Sequence, residues 1–222
     1  MEPHDADLRH HYDSELEEIR ASLVDLGTMA LSNIRHAGIV FSENRPEEIE
    51  TVRNADIPIN AKYTELEARV FEILALQQPV ASDLRFLVAS TRILYELERS
   101  GDLAVNVVKA LARLDGIPTD ASIHSAVSQL AEASAAMFTR GIEAIATLDP
   151  EIGMGAELED EATDHLTASL YKLVTLNQDE LGLETAVALF RIGRYFERIA
   201  DHGVNIAENV TFVVTAQFPG EG

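Results

Sequence analysis

The sequence predicts an all-α protein in which an internal duplication produces two pseudo-symmetric antiparallel three-helix bundles. Apolar residues recur at intervals of three and four over long stretches of the 222 residues, whereas the alternation typical of strands is scarce. Ala, Leu, Glu and Arg, which all favour helices, dominate the composition. The chain also aligns with itself, and a repeat of this length indicates two copies of one structural unit.

The apolar periodicity, together with residues that begin and end helices, predicts the elements in order. The six helices are expected at 14–43, 47–76, 80–114, 120–148, 150–177 and 183–216. Residues 1–13 are expected to form a flexible N-terminus. The first bundle would then span 14–114 and the second bundle 120–216.

Three prolines bear on the helix boundaries. Pro46 and Pro150 are typical of the first turn of a helix, and Asp149 is a good N-cap for the fifth one. Pro58 lies inside the second predicted helix, where it removes a backbone hydrogen bond and should kink or interrupt the helix.

The stretch LDGIPTD at 114–120 is the best candidate for a linker between the bundles. Its glycine and proline disfavour helix, and Thr119 or Asp120 can cap the helix that follows.

Two helices of each bundle align across the duplication. The aligned pairs are Pro46 with Pro150 and Asp56 with Asp160 at an offset of 104 (150 − 46), then Glu98 with Glu197 and Asp102 with Asp201 at an offset of 99 (197 − 98). The change of offset predicts that the second copy has lost five residues in the turn between its last two helices (104 − 99).

Composition and charge exclude several classes of protein. There is no cysteine, so disulfides, thiolate metal sites and cysteine nucleophiles are excluded, in keeping with a cytoplasmic location. The net charge of −21 repels nucleic acid and anionic lipid, so we expect neither as a partner. No apolar run is long enough to predict a membrane span.

Acidic and amide side chains repeat on the last helix of each predicted bundle. Residues four apart share one helix face, so each set forms a row of oxygen donors. The two rows are Glu98, Asp102 and Asn106, then Glu197, Asp201 and Asn205. The preceding helix carries a second row in each bundle: Asp56 and Asn60 in the first, Asp160 and Asp164 in the second. Small residues, Gly101 and Ala200, would let the neighbouring helix approach.

The rows have two interpretations. Arg99 and Arg198 each lie three residues before an aspartate of a row, and Arg194 lies three before Glu197, so ordinary surface ion pairs would explain them. Their repetition, and the facing oxygens of the preceding helix, instead favour a surface site for a hard cation. A ferritin-like site is not indicated, because the chain contains no Glu-x-x-His.

The segments QQPVASDLRFLVASTRILYELERSGDLAVNV and FRIGRYFERIADHGVNIAENV resemble the PhoU family of phosphate-uptake regulators. The resemblance covers residues 12–216, and the repeated Glu-x-x-x-Asp motif is its most specific part. It implies metal clusters held by the rows: Glu98, Asp102, Glu197 and Asp201, and less securely Asp56, Asn60, Asp160 and Asp164. Iron is the metal that the resemblance implies first, with manganese, magnesium or zinc as alternatives.

The same resemblance implies a non-enzymatic negative regulator of phosphate uptake and of phosphate-starvation signalling. The partners it implies are a sensor histidine kinase and the ATPase subunit of a phosphate ABC transporter, and a homodimer is also expected. Asn60 and Lys109 replace acidic counterparts of the second copy, so the first bundle is expected to bind metal more weakly or with fewer ions.

Two other function classes stay open at the level of sequence. Carboxylate-bridged dinuclear metalloenzymes use similar rows, although nothing in the sequence supplies a separate nucleophile or base. A metal-free structural helical adaptor is the third interpretation.

Overall fold

The computed structural model describes residues 3–114, 116–118 and 120–217, with the side chains of 3–9 and 154–160 left out, and every regular element in this part is helical. The α-helices are α1 (Pro3–Ser42), α2 (Ile49–Gln77), α3 (Ala81–Leu111), α4 (Ala121–Thr147), α5 (Pro150–Leu176), α6 (Gln178–Leu181) and α7 (Leu183–Thr215). A 3₁₀ turn at Pro46–Glu48 leads into α2. No helix in the described part combines the length and apolar character needed to cross a bilayer.

Two three-helix bundles form, which confirms the predicted fold class. The first consists of α1, α2 and α3, and the second of α4, α5 and α7. The bundles are joined along their lengths, because α3 packs against α7 and α1 packs against α4. One continuous hydrophobic core includes buried residues of both bundles, such as Phe41, Leu97, Phe138 and Phe196.

The N-terminal boundary of the first helix was predicted wrongly. α1 begins at Pro3, so most of the expected flexible segment 1–13 is helical. Pro3 sits in the first turn, where its missing N–H costs nothing, and no further glycine or proline follows before Gly27. The apolar periodicity starts later than the helix does, which is why it placed the boundary at residue 14.

The helix caps follow the sequence closely. Asp120 accepts hydrogen bonds from the backbone N–H groups of Ser122 and Ile123, both at 3.0 Å, and so caps α4. Asp149 accepts from the N–H of Glu151 at 2.9 Å, with Pro150 at the first position of α5. Both caps satisfy N–H groups that have no partner within the helix.

The second copy is shorter at the junction of its last two helices, as the offsets predict. Residues 78–80 separate α2 from α3, whereas Gly182 alone separates the short α6 from α7. Gly182 has a φ of 74°, which glycine adopts without strain. Leu183, the first residue of α7, aligns with Leu84 of α3. Because α3 begins at Ala81, α7 has no counterpart of the first three residues of α3, 81–83. The single-turn helix α6 itself was not predicted.

Candidate functional site

A carboxylate cluster, called the first cluster, lies where α2 faces α3 and contains Asp56, Asn60, Glu98 and Asp102. The helices are close here because residue 101 is glycine: a Cβ on Gly101 would lie 2.9 Å from Asp56 Oδ1. Asp56 is only 8% exposed, and Asn60 Nδ2 donates a hydrogen bond of 2.9 Å to its Oδ2. The predicted close approach at the small residue is therefore present.

Two oxygen atoms of the first cluster are buried without a hydrogen-bond partner. They are Asp56 Oδ1 and Asn60 Oδ1, which lie one helical turn apart on α2. A buried polar atom without a partner costs about 1–3 kcal/mol, and more when it carries charge. Both atoms are acceptors, so a cation or a hydrogen-bond donor would remove this cost.

The carboxylates of the first cluster are near enough to influence one another's protonation. Burial raises the pKa of Asp56, and the negative charge of Asp102 raises it further, while Asn60 and Lys109 lower it. Burial also raises the pKa of Glu98, with contributions from Asp102 and Asp56 that Arg99 partly opposes. The cluster therefore concentrates negative charge that the fold does not fully neutralise.

One guanidinium group does engage the first cluster. Arg99 Nη1 donates to Asp102 Oδ2 at 2.9 Å, and its Cζ lies 5.8 Å from the ring centroid of Tyr95. The surface ion pair expected as the simpler interpretation is thus present for Asp102. Asp56 and Glu98 remain available for other ligands.

The second cluster lies between α5 and α7 and contains Asp164, Glu197 and Asp201. Burial raises the pKa of Asp201 first, and the charges of Glu197 and Asp164 raise it further, while Arg194 and His202 lower it. Arg194 Nη1 pairs with Glu197 Oε1 at 2.7 Å. The side chain of Asp160, also predicted to belong here, falls in the range 154–160 that lies outside the described side chains.

The described side chains of neither cluster converge on a position where one ion would have three acidic or imidazole ligands. Arg99 and Arg194 each occupy one carboxylate of a cluster. Metal binding at the predicted rows accordingly stays a prediction, supported by the unpartnered oxygens and by the mutual effects on pKa.

A buried polar pair links the two bundles and was missed by the sequence reasoning. His202 on α7, 7% exposed, pairs through Nδ1 with Glu96 on α3. Asn205 Nδ2 also lies 3.4 Å from Glu96 Oε1, so this member of the second row points toward α3. The sequence carries no signal for this pair, because the contact depends on how α3 packs against α7.

Comparison with known proteins assigns both bundles to one family. The family model described as the PhoU domain matches residues 23–111 and 127–210, so the matches begin 104 residues apart (127 − 23) and end 99 apart (210 − 111). A phosphate-specific transport system accessory protein PhoU homolog of Synechocystis is 27% identical over 210 residues, covering 94% of this chain and 93% of that protein. The corresponding homolog of Caulobacter vibrioides is 29% identical over 209 residues, covering 93% and 90%.

Two solved structures share the fold. The crystal structure of PhoU from Pseudomonas aeruginosa superposes with a TM-score of 0.87 at 24% identity, covering 93% of this chain and 100% of that one. The phosphate transport system regulatory protein PhoU from Streptococcus pneumoniae superposes with a TM-score of 0.85 at 24% identity, covering 93% and 98%.

Proposed function

The chain belongs to the PhoU family, and we propose that it is a non-enzymatic negative regulator of phosphate uptake and of phosphate-starvation signalling. The observation that carries the proposal is the agreement over nearly the whole chain with phosphate-specific transport system accessory proteins, 94% in one case. The agreement includes both bundles, so the duplicated architecture comes with it.

The partners in this proposal are a sensor histidine kinase and the ATPase subunit of a phosphate ABC transporter, both reached from the cytoplasm. The names of the curated relatives, which place them with a phosphate transport system, support the transporter as a partner. The net charge of −21 supports docking on basic protein surfaces rather than on nucleic acid or anionic lipid.

The proposal includes divalent or ferric ions at the two clusters, with iron first and manganese, magnesium or zinc as alternatives. Asp56, Asn60, Glu98 and Asp102 would hold the ion in the first bundle, and Asp164, Glu197 and Asp201 with Asp160 in the second. The oxygen-only donor set suits hard cations, and the buried unpartnered oxygens of Asp56 and Asn60 support the fit. A bound ion would supply positive charge between the helices and fix their separation.

Homodimerisation belongs to the proposal as well. Exposed apolar residues recur at aligned positions of α3 and α7: Leu84 at 41% and Val88 at 37%, then Leu183 at 78% and Val187 at 40%. Such repeated apolar exposure is typical of surfaces that pair with protein. Analytical ultracentrifugation of the unmodified chain and of the double variant Leu183→Asp plus Val187→Asp measures whether this surface holds a dimer together.

A bacterial strain that lacks its own phosphate regulator and carries a phosphate-starvation reporter gene tests the regulatory role. We expect expression of this chain to restore repression of the reporter in high phosphate. Full reporter activity in the presence of folded, expressed protein would contradict the role. Turnover of phosphate esters by the metal-loaded protein would instead favour the metalloenzyme interpretation.

A further inference from the structure

An open groove runs between α1 and α2 on the outer side of the first bundle. Its volume is about 930 Å³, and its floor includes Ile19 and Leu66, which are 2% and 6% exposed. The exposed alanines Ala61 and Ala68 line it without filling it. In a three-helix bundle, a groove of this kind lies where a four-helix bundle would carry its fourth helix.

The groove is apolar at its floor and acidic at its sides. Its charged residues are Glu15, Glu18, Glu65 and Glu72 against Lys62 and Arg69. Both basic side chains already have acidic partners. Lys62 Nζ lies 3.3 Å from Asp25 Oδ2, and Arg69 donates to Glu72 Oε2 at 3.0 Å. The local excess of acid therefore matches a positively charged occupant with an apolar face.

Glu15 supplies an independent indication of the occupant. This side chain is 8% exposed, and its Oε1 accepts a hydrogen bond of 2.5 Å from Arg69 Nη2. Its Oε2 is buried and has no hydrogen-bond partner. A carboxylate oxygen in this state is stabilised by a further cationic donor, because leaving it unpaired costs more than an unpaired neutral atom does.

We propose that the groove between α1 and α2 binds a positively charged amphipathic helix of a partner protein, with an arginine or lysine of that helix donating to Glu15. The inference deepens the proposed regulatory function, because it names a docking surface and the chemistry of the segment that docks. Apolar side chains of the helix cover the exposed Pro58, Ala61 and Ala68, and its basic side chains meet Glu18 and Glu65. This is recognition of a helix in a groove.

The probe is a fluorescent synthetic peptide of about 18 residues, about 27 Å long as a helix, with leucine on one face and lysine and arginine on the other. A peptide of the same composition in scrambled order has no apolar face and serves as the control ligand. Fluorescence anisotropy with the full chain gives both dissociation constants. We expect tighter binding of the amphipathic peptide, since the acidic surface alone attracts both equally.

Matched variants locate the binding surface. Glu18→Gln plus Glu65→Gln removes two exposed charges from the groove, and Glu132→Gln plus Glu143→Gln removes two exposed charges from α4. Ala61→Arg obstructs the groove, whereas Ala75→Arg places the same side chain at an exposed position of α2 outside it. We expect the groove variants to weaken binding at least about fivefold and the controls by less than about twofold.

Equal losses in groove and control variants, or equal affinity for both peptides, would overturn the proposal. The phosphate-starvation reporter separates this result from failure of the proposed function. If the groove variants bind the peptide weakly yet repress the reporter normally, the groove is not the regulatory docking surface and the regulatory function stands. If the unmodified chain binds the peptide through the groove but never represses the reporter, the regulatory function fails and the groove remains a binding surface.

Discussion

Gly101 and Asp56 show how a single residue controls the first cluster. The missing side chain of Gly101 leaves the space that Asp56 Oδ1 occupies, 2.9 Å from where a Cβ would lie. Asp56 enters this space at an electrostatic cost, since burial and Asp102 both raise its pKa. The arrangement has the character of a binding site, in which groups destabilised on their own are stabilised by a ligand.

Replacement of Asp56 tests this electrostatic cost through the pH dependence of the free energy of unfolding. Because its pKa in the folded protein is raised above its ordinary value of 3.8, the folded state binds the proton more tightly than the unfolded state does. This contribution to stability is present at low pH and is lost as pH rises through the raised pKa. In chelator, we expect Asp56→Asn to be more stable than the unmodified chain at pH 8, with a smaller difference at pH 4, by urea unfolding.

Added metal should reverse the order of stabilities at pH 8. An ion bound only to the folded state raises the free energy of unfolding by an amount that grows as its concentration exceeds its dissociation constant, and Asp56→Asn weakens binding by removing one ligand. We expect manganese to stabilise the unmodified chain more than the variant. A variant less stable than the unmodified chain in chelator would mean that Asp56 serves the fold rather than a cation.

Substitution of Gly101 tests the close approach of α2 and α3. Gly101→Val would push its added methyl groups toward Asp56 Oδ1 and Ile59, which already lie near the position of a Cβ. We expect a loss of about 1–3 kcal/mol in the free energy of unfolding from overpacking. Ala75→Val at an exposed position of α2 is the control and should cost less than about 1 kcal/mol. Equal stability of the two variants would contradict the tight contact.

At the scale of elements, local signals in the sequence predict most boundaries. Asp120 and Asp149 cap the helices that they were expected to cap, and each predicted long helix is present. The errors arise where periodicity is uninformative: the sequence at the start of α1 is polar, and the single-turn α6 contains no buried residue. Local signals are strongest where a side chain satisfies backbone groups of its own helix.

Pro58 is an exception to the rule that local signals predict helix boundaries, because α2 continues through it from Ile49 to Gln77 without interruption. Proline cannot donate the hydrogen bond that a helical residue at this position gives to the carbonyl of Asn54. Pro58 is exposed, so alanine would leave no cavity. We expect Pro58→Ala to raise the free energy of unfolding by about 1–3 kcal/mol, measured in urea. A destabilised variant would show that the packing of α2 depends on proline at this position.

The candidate site could be predicted only in part. The spacing of four placed Glu98 and Asp102 on one face, and the duplication pointed to the facing row with Asp56. The pairing of His202 with Glu96 could not be found this way, because it joins helices of different bundles. Periodicity tells which face of a helix is buried, but it does not tell which other helix covers that face.

At the scale of the whole molecule, the duplication has produced two bundles that are not independent. The core is continuous across them, and α3 and α7, the two helices that carry the acidic rows, pack against each other. If ions bind at the proposed sites, this contact between α3 and α7 is the physical route by which occupancy of one site would influence the other.

A shared core should make the two bundles unfold together. We expect hydrogen exchange of α2 and α5, followed by mass spectrometry at increasing urea, to converge on one free energy of opening. Cooperative unfolding is the usual behaviour where a single core spans the molecule. Separate plateaus for the two helices would contradict a continuous core.

Metal content after equilibrium dialysis tests the central claim, that carboxylates of neighbouring helices form a cation site in each bundle. The samples are the unmodified chain, Asp102→Asn plus Asp201→Asn, and a control, Asp25→Asn plus Asp179→Asn, that removes two exposed carboxylates elsewhere. Each is dialysed against iron or manganese and then against buffer, and the retained metal is measured by mass spectrometry.

The account predicts defined retention by the unmodified chain and by the control, and a loss of most metal from Asp102→Asn plus Asp201→Asn. Retention by that double variant equal to the unmodified chain, or no retention by any of the three proteins, would contradict it.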